Sequence, residues 1–142
     1  MEKHVMKYLI LFSLITLSIA CSQKDLIIQN IEKNIGSKIS KEVKKVYIIN
    51  ENSIACIKCF NAFISYVQDK ELDKDELLIV NNTGNSVDID SFKTKKNTYI
   101  MHDYDFISEP HLGVMYIKNS KTDSILNITP ENIMDFITSN SR

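Results

Sequence analysis

The sequence has few of the residues that mark repetitive or extended architectures, with three glycines and two prolines among 142 residues. This scarcity excludes collagen-like and low-complexity chains, and no internal period typical of repeat proteins is present. An excess of one charge is also missing, because the formal net charge is −1. Neither a basic surface for nucleic acid nor an acidic tail is therefore indicated. We expect one globular domain, since a chain of this length can bury a core without disulfide staples.

Most motifs that carry chemistry are absent as well. The sequence contains no evident Ser-His-Asp set, glycine-rich phosphate loop or basic aromatic patch. The alternating aspartates of "HDYD" (102–105) are more typical of a solvated face than of a carboxylate site. No cofactor is predicted. The informative features that remain are an apolar N-terminus and three cysteines.

The N-terminus has a basic head followed by an apolar run from Tyr8 to Ala20. A membrane-spanning helix needs about 20 apolar residues, so this shorter run predicts a signal peptide over residues 1–20. The run, its small residues and Cys21, followed by the polar "SQKD", resemble the lipobox of bacterial lipoproteins. The resemblance implies that Cys21 is lipidated. Two alternatives stay open, namely ordinary cleavage after Ala20, which leaves a free thiol, and a retained anchor.

The number of cysteines agrees with lipidation of Cys21. Three is an odd number, and a leftover thiol is unusual in an exported protein. If Cys21 carries a lipid, Cys56 and Cys59 remain as a pair.

Apolar periodicity predicts the order of helices and strands. Residues 21–42 are interpreted as a linker with a short amphipathic helix, and residues 43–142 as the folded domain. Strands are predicted at 44–51, 75–82, 97–106, 111–119 and 124–128, the last after a turn at "NSKTDS" (119–124). Helices are predicted at 56–70 and at the C-terminus, with Thr129 as N-cap, and 87–96 is ambiguous, with a short helix as one interpretation. This alternation favours an α/β fold with helices on both faces of the sheet.

The sequence "CIKCF" places Cys56 and Cys59 at the start of the helix predicted at 56–70. The unpaired N–H groups and the dipole of a helix N-terminus favour an anion, so a thiolate at Cys56 is stabilised there. Lys58 adds positive potential. A spacing of three residues is nearly one helical turn, which lets the second thiol close a disulfide or resolve a mixed disulfide.

The strand, the CxxC at a helix start, the proline just before a strand, the hairpin and the terminal helix resemble the thioredoxin fold. The resemblance spans about residues 43–140 and implies a central mixed sheet of four to five strands flanked by helices. By this resemblance Cys56 is the attacking cysteine and Cys59 the resolving one. It also implies that Pro110 is cis and that the backbone of Glu109 pairs with a substrate strand. No acidic residue on the first predicted strand is an evident buried proton acceptor.

The combination is similar to lipid-anchored, exported thioredoxin-like proteins of Gram-negative bacteria. It implies a thiol-disulfide oxidoreductase that is anchored in the cell envelope, faces the periplasm and acts on thiol- or disulfide-bearing envelope proteins. We expect a monomer that binds no nucleic acid. One alternative is a non-catalytic thioredoxin-fold lipoprotein with a structural disulfide. The other is a copper or zinc binding protein in which His111 or His102 completes a site with the CxxC.

Overall fold

The computed structural model describes residues 25–53, 56–84 and 86–140. Within them, one five-stranded mixed sheet is flanked by helices. This confirms the α/β class and the mixed sheet expected from the sequence. The predicted signal peptide and Cys21 lie outside the described residues. No helix in the described ranges combines the length and the apolar character needed to cross a bilayer.

The helices and strands follow one another in the predicted alternation. In chain order they are α1 (Leu26–Ile35), β1 (Lys45–Asn50), a 3-10 turn (Glu51–Ser53), α2 (Ile57–Asp69), β2 (Glu76–Asn81), α3 (Asp90–Lys93), β3 (Thr98–Met101), β4 (Leu112–Lys118), β5 (Lys121–Asn127) and α4 (Ile133–Asn140).

The strands lie in the order β3-β2-β1-β4-β5. β1 pairs in parallel with β2, and β2 with β3, whereas β4 is antiparallel to both β1 and β5. β1, β2 and β3 therefore finish at the same end of the sheet, where β4 begins and where Cys56 follows β1. We call this the cysteine end. The opposite end carries the β4–β5 turn, and we call it the hairpin end.

Both faces of the sheet are covered because side chains alternate along each strand. Tyr47 and Ile49 of β1 face a core that includes residues of α2 and α4. Val46 and Ile48 face the opposite way, into a core that includes residues of α1. The α2 residues buried in the first core form one helical stripe: Cys59, Phe60, Phe63, Ile64 and Val67.

Helix α1 is a packed layer of the fold. Two of its own residues, Ile28 and Ile31, are buried. Asp25 caps its N-terminus by accepting from the N–H of Ile28 (3.3 Å), and its second carboxylate oxygen accepts from the N–H of Thr122 (2.6 Å). The helix ends at Gly36, whose φ of 69° is the left-handed conformation that glycine adopts readily. The start of α1 is thus fixed to the start of β5, at the hairpin end.

Two strand predictions were wrong in extent. The strand predicted at 97–106 ends at Met101, because the chain then turns and the N–H of Phe106 donates to the carbonyl of Asp103 (3.3 Å). The turn predicted at 119–124 is only two residues long, since Asn119 and Ser120 have φ values of 53° and 61° and β5 begins directly afterwards. Two residues in this conformation match the twist of a tight hairpin.

The start of the last helix was also predicted too early. α4 begins at Ile133. Before it lies a turn in which the N–H of Thr129 donates to the side chain of Asn132 (2.9 Å). Thr129 therefore opens the turn, and the predicted apolar face remains, with Ile133 and Phe136 buried.

The hairpin end contains a buried carboxylate with several partners. Glu76 is 5% exposed, and its carboxylate accepts from the Tyr47 hydroxyl (3.0 Å) and from the N–H of Asp73 (3.2 Å). Lys45 and Lys70 lie 3.3 and 3.2 Å from its two oxygens. Burial by itself raises the pKa of Glu76, but the hydrogen bonds from Asp73, Lys70 and Tyr47 outweigh it and lower the pKa overall. The carboxylate is therefore charged in the folded protein at neutral pH.

We predict that Glu76→Gln lowers the free energy of unfolding by about 1–3 kcal/mol near neutral pH, because two lysines lose their buried partner. A lowered folded-state pKa stabilises the protein above the unfolded-state pKa of about 4.3, and this contribution disappears as the pH falls through the folded value. The difference between the two proteins should therefore shrink in acid. Urea unfolding across this pH range measures it, with the exposed Glu71→Gln as the control, and a gap that grew with acidification would contradict the prediction.

Candidate functional site

Helix α2 begins at the candidate dithiol. Cys56 is its N-cap, with φ −136° and ψ 104°, and its sulfur accepts a hydrogen bond from the N–H of Cys59 (3.2 Å). The carbonyl of Cys56 accepts from the N–H of Phe60 (2.9 Å). An N-cap side chain satisfies a backbone donor that has no partner within the helix. The Cys56 sulfur is therefore in the position where a helix best stabilises a negative charge.

The two cysteines form a disulfide, with Cα atoms 5.3 Å apart. They differ in burial, since Cys59 is 2% exposed while Cys56 is half-buried. Cys59 belongs to the core stripe with Phe60 and Phe63. A thiolate from a partner protein can therefore approach Cys56 more easily than Cys59.

The residues between the cysteines point outward. Ile57 is 72% exposed, and Lys58 is exposed as well. The first turn of α2 contains no acidic residue. The local charge at the helix start is therefore positive, which adds to the effect of the backbone N–H groups.

The predicted substrate-binding residues lie at the same end of the sheet. The peptide bond between Glu109 and Pro110 is cis, as the resemblance implies. Pro110 is buried and Glu109 is exposed. The next residue, His111, is held to β1, because its carbonyl accepts from the N–H of Asn50 (2.9 Å). The structure thus brings Glu109 and Pro110 to the end of the sheet at which Cys56 begins α2.

Gly113 permits the close packing behind this proline. A Cβ atom at Gly113 would clash with the carbonyl oxygen of Leu126 on β5 and would lie 3.2 Å from Cβ of Pro110. Glycine is therefore required at this position, where β4 lies between β5 and Pro110.

The side chain of Asn50 connects the segments at the cysteine end. Its amide nitrogen donates to the carbonyl of Phe106 (3.2 Å) and to the hydroxyl of Ser108 (3.2 Å). Its amide oxygen accepts from the side chain of Asn81 (2.9 Å) and from the N–H of Asn52 (3.2 Å). All four bonding positions of the amide are used, and Asn50 is 1% exposed. One side chain therefore joins the ends of β1 and β2 to the loop that leads to Pro110.

Asn81 holds the same loop from β2. Its side chain donates to the carbonyl of Asp103 (2.8 Å) and accepts from the N–H of the same residue (2.9 Å). The Asp103 carboxylate accepts from the N–H of Asp105 (2.9 Å). The "HDYD" sequence is thus a turn held by local hydrogen bonds.

Glu51 is a buried carboxylate that sequence reasoning missed. It follows β1 directly, is 8% exposed, and accepts from the N–H groups of Gly84 (2.6 Å) and Ser86 (2.8 Å). It ties the loop after β2 to the segment that leads to Cys56. The available signal was its place at the carboxyl end of a buried parallel strand, beside Asn50, where functional polar residues gather in α/β folds.

No metal centre is assembled by the described residues, among which no group of three or more His, Cys, Asp or Glu could hold an ion. His102 is engaged elsewhere, since its Nδ1 lies 2.6 Å from the carbonyl oxygen of Asn82. A carbonyl only accepts, so Nδ1 carries the hydrogen. His111 is exposed. The metal-binding alternative gains no support from this geometry.

We predict that Asn50→Ala lowers the free energy of unfolding by about 2–3 kcal/mol, because it leaves buried donors and acceptors without partners. The control is Asn52→Ala, an exposed residue whose side chain also bonds to the loop, at the carbonyls of Asp103 and Tyr104. Water can replace those bonds, so the control should lose less than about 1 kcal/mol. Urea denaturation measures both, and equal losses would contradict the role assigned to Asn50.

We predict that the reduced Cys56 thiol is alkylated with a pH midpoint below the free-cysteine pKa of about 8.5, because the helix N-terminus favours the thiolate. The measurement uses iodoacetamide on a Cys21→Ser, Cys59→Ser protein. A Cys21→Ser, Cys56→Ser protein, which retains only the buried Cys59, should react slowly at every pH. A midpoint near that of free cysteine in the first protein would show that the helix N-terminus does not favour the thiolate at Cys56.

Known proteins offer no direct comparison for this site. No family model, no curated protein and no solved structure matches the chain significantly. The function of the chain is therefore inferred from the geometry of the cysteine end.

Proposed function

We propose that this protein exchanges thiols and disulfides with other proteins of the cell envelope through the Cys56–Cys59 couple, on a thioredoxin-like fold. The observation that carries the proposal is the asymmetry of the disulfide. The half-buried Cys56 sulfur caps a helix N-terminus, and its partner Cys59 is 2% exposed. One accessible sulfur and one shielded sulfur are what a two-step exchange needs, because the first forms the mixed disulfide and the second resolves it.

Several features of the fold support the thioredoxin-like assignment. The CxxC follows β1 and begins α2, and a cis proline precedes β4, the antiparallel neighbour of β1. The hairpin β4–β5 and the terminal helix α4 complete the order of elements that the resemblance requires.

The exchange balances as two successive displacements. In the reduced form the Cys56 thiolate attacks a disulfide of the partner, forms a mixed disulfide and releases one partner thiolate. The Cys59 thiolate then attacks the Cys56 sulfur, which releases the second partner thiolate and leaves the Cys56–Cys59 disulfide. Two electrons pass to the partner. The reverse sequence oxidises a partner dithiol, with Cys59 leaving first as a thiolate.

The surroundings of the dithiol favour a protein as the partner. Four exposed apolar side chains lie on the helix starts and the loop at the cysteine end: Ile57, Tyr104, Ile107 and Met134. They offer apolar contact area at the cysteine end, where Ile107 lies on the side of α1 and its carbonyl accepts from the side chain of Asn30. The main chain of Glu109 makes no hydrogen bond with another described residue, so it is available to pair with an extended segment of the partner.

The location in the envelope is part of the proposal and rests on the sequence. The apolar run ahead of Cys21 supports export, and the lipobox-like ending supports a lipid anchor on a bacterial membrane, with the domain facing the periplasm. A disulfide between Cys56 and Cys59 is compatible with an oxidising compartment. The protein would act as a monomer without a cofactor.

In a Cys21→Ser background, we expect the Cys59→Ser protein to accumulate a mixed disulfide on Cys56 when it is incubated with a soluble peptide disulfide. The resolving thiolate is absent in this variant, so the intermediate persists. In the wild type the same intermediate should be short-lived, and in Cys56→Ser it should not form, because the remaining thiol is buried. Non-reducing electrophoresis and mass spectrometry of the adduct measure all three.

The non-catalytic alternative predicts a different pattern. If the disulfide is only structural, neither single variant forms an adduct, and the reduced wild type leaves the peptide disulfide intact. That result would exclude the exchange reaction. An adduct on Cys59 in place of Cys56 would reverse the roles assigned to the two residues.

A further inference from the structure

The attachment point of the described domain and the dithiol lie at opposite ends of the sheet. Asp25 is bound to Thr122 at the start of β5, which is the hairpin end. Cys56 follows the last residue of β1, at the cysteine end. The chain therefore enters the domain at the end that is remote from the disulfide.

The register of the strands gives the separation along the sheet. Thr122 pairs with Ile117, whose N–H donates to the carbonyl of Lys44, so Thr122 lies level with the residue before β1. Cys56 lies beyond Asn50, the last residue of β1. The six residue steps from Lys44 to Asn50, at about 3.3 Å each, separate the level of Thr122 from the end of β1 by about 20 Å.

The connection between Cys21 and Asp25 is short. Four residues of fully extended chain reach at most about 14 Å. This is less than the length of the sheet, so a lipid on Cys21 would keep the hairpin end of the domain close to the bilayer. Leu26, next to Asp25 and 79% exposed, is the large apolar residue that would lie nearest the membrane.

Surface charge at the hairpin end does not suggest another mode of attachment. Exposed lysines are mixed there with exposed acidic residues: Lys38, Lys41, Glu42, Lys118, Lys121 and Asp123. Lys44 is paired with Asp75 at 3.1 Å. The first six of these residues, four basic and two acidic, carry a net charge of +2, so anionic lipid would attract this end and favour the same orientation as the tether, while in neutral lipid the tether is the main constraint.

We propose that the tether holds the domain by its hairpin end, so that the Cys56–Cys59 disulfide faces away from the bilayer. The partners are then cysteines of soluble proteins or soluble domains, and thiols at the membrane surface are excluded. This inference rests on the lipidation of Cys21 in the proposed function, and it adds the class of partner.

The test compares two fluorophore positions on the lipidated full-length protein in phosphatidylcholine vesicles that contain headgroup-labelled acceptor lipid. One protein is Cys59→Ser, labelled at Cys56. The other is Cys56→Ser, Cys59→Ser, Lys121→Cys, labelled at position 121 in the hairpin. Energy transfer to the acceptor lipid should be clearly stronger from position 121, which lies about 20 Å nearer the membrane by strand length. Equal transfer, or stronger transfer from Cys56, would overturn the proposal.

A longer tether is the matched control. Twelve Gly and Ser residues inserted between Lys24 and Asp25 add a flexible span of about 20 Å, which should let the domain turn and reduce the difference between the two positions. Unlabelled Cys59→Ser proteins, with the native and with the lengthened tether, can be mixed with vesicles that display a disulfide on a lipid headgroup. The insertion should increase the reaction of Cys56 with this lipid about tenfold or more, because a short tether keeps the effective concentration low. An undiminished difference in energy transfer would show that the tether does not set the orientation.

Failure of the underlying proposals gives different results. If Cys21→Ser stays bound to the vesicles, the lipid is not the anchor and the inference falls with it. If position 121 is near the membrane and Cys56 is remote, but no peptide forms an adduct with Cys56, the orientation stands and the exchange reaction fails.

Discussion

The side chain of Asn50 is the interaction on which the candidate site depends. It uses all its donors and acceptors to connect the ends of two parallel strands, the 3-10 turn after β1 and the loop before Pro110. A buried amide is costly unless every bond is made, and when they are all made it permits one arrangement of its neighbours. The positions of the dithiol segment and the proline loop relative to each other are therefore set by a residue that takes no part in the chemistry.

The dithiol itself depends on the packing of α2. Phe63 has no exposed surface, and its ring centroid lies 6.5 Å from that of Tyr47 on β1 and 5.8 Å from that of Phe136 on α4. This contact fixes the helix against the sheet from its middle. Cys59 is on the same stripe and is thereby buried, while Cys56 is the N-cap and remains accessible. The difference between the two sulfurs is thus a consequence of helical periodicity, without any specialised structure around them.

The sequence predicted the parts of the fold that follow from local periodicity. β1, β2 and α2 are recognisable because apolar residues recur at the spacing of a buried strand or an amphipathic helix. The length of β3 was overestimated because "HDYDF" continues a strand-like alternation, whereas the real chain turns to reach the side chain of Asn81. β5 was shortened because "KTDS" has turn-forming residues, yet the hairpin needs only Asn119 and Ser120. In both cases a tertiary hydrogen bond or a backbone conformation outweighed the local preference.

Local sequence predicted only the covalent part of the candidate site, and Glu109 and the cis Pro110 were predicted by the resemblance. Cys56 and Cys59 are three positions apart in sequence, so their proximity follows from the helix alone. The hydrogen bonds of Asn50 with Asn81 and of Glu51 with Gly84 and Ser86 join residues about 30 positions apart, and they exist because β1 and β2 are parallel and in register. A single sequence shows that these residues are polar and that they end strands, but their pairing needs the register of the sheet.

The two ends of the sheet carry different kinds of polar group, and the difference follows from their neighbours. At the hairpin end Glu76 is ionised, because Lys45 and Lys70 supply charge and Tyr47 supplies a hydrogen bond. At the cysteine end the central group is the neutral amide of Asn50, and the carboxylate beside it, Glu51, accepts from the backbone N–H groups of Gly84 and Ser86. An anion at this end of the sheet opposes a thiolate at Cys56, and the two N–H groups that bind Glu51 offset part of that effect. The amide therefore organises the loops at the cysteine end, while a thiolate at Cys56 depends on the N–H groups at the start of α2.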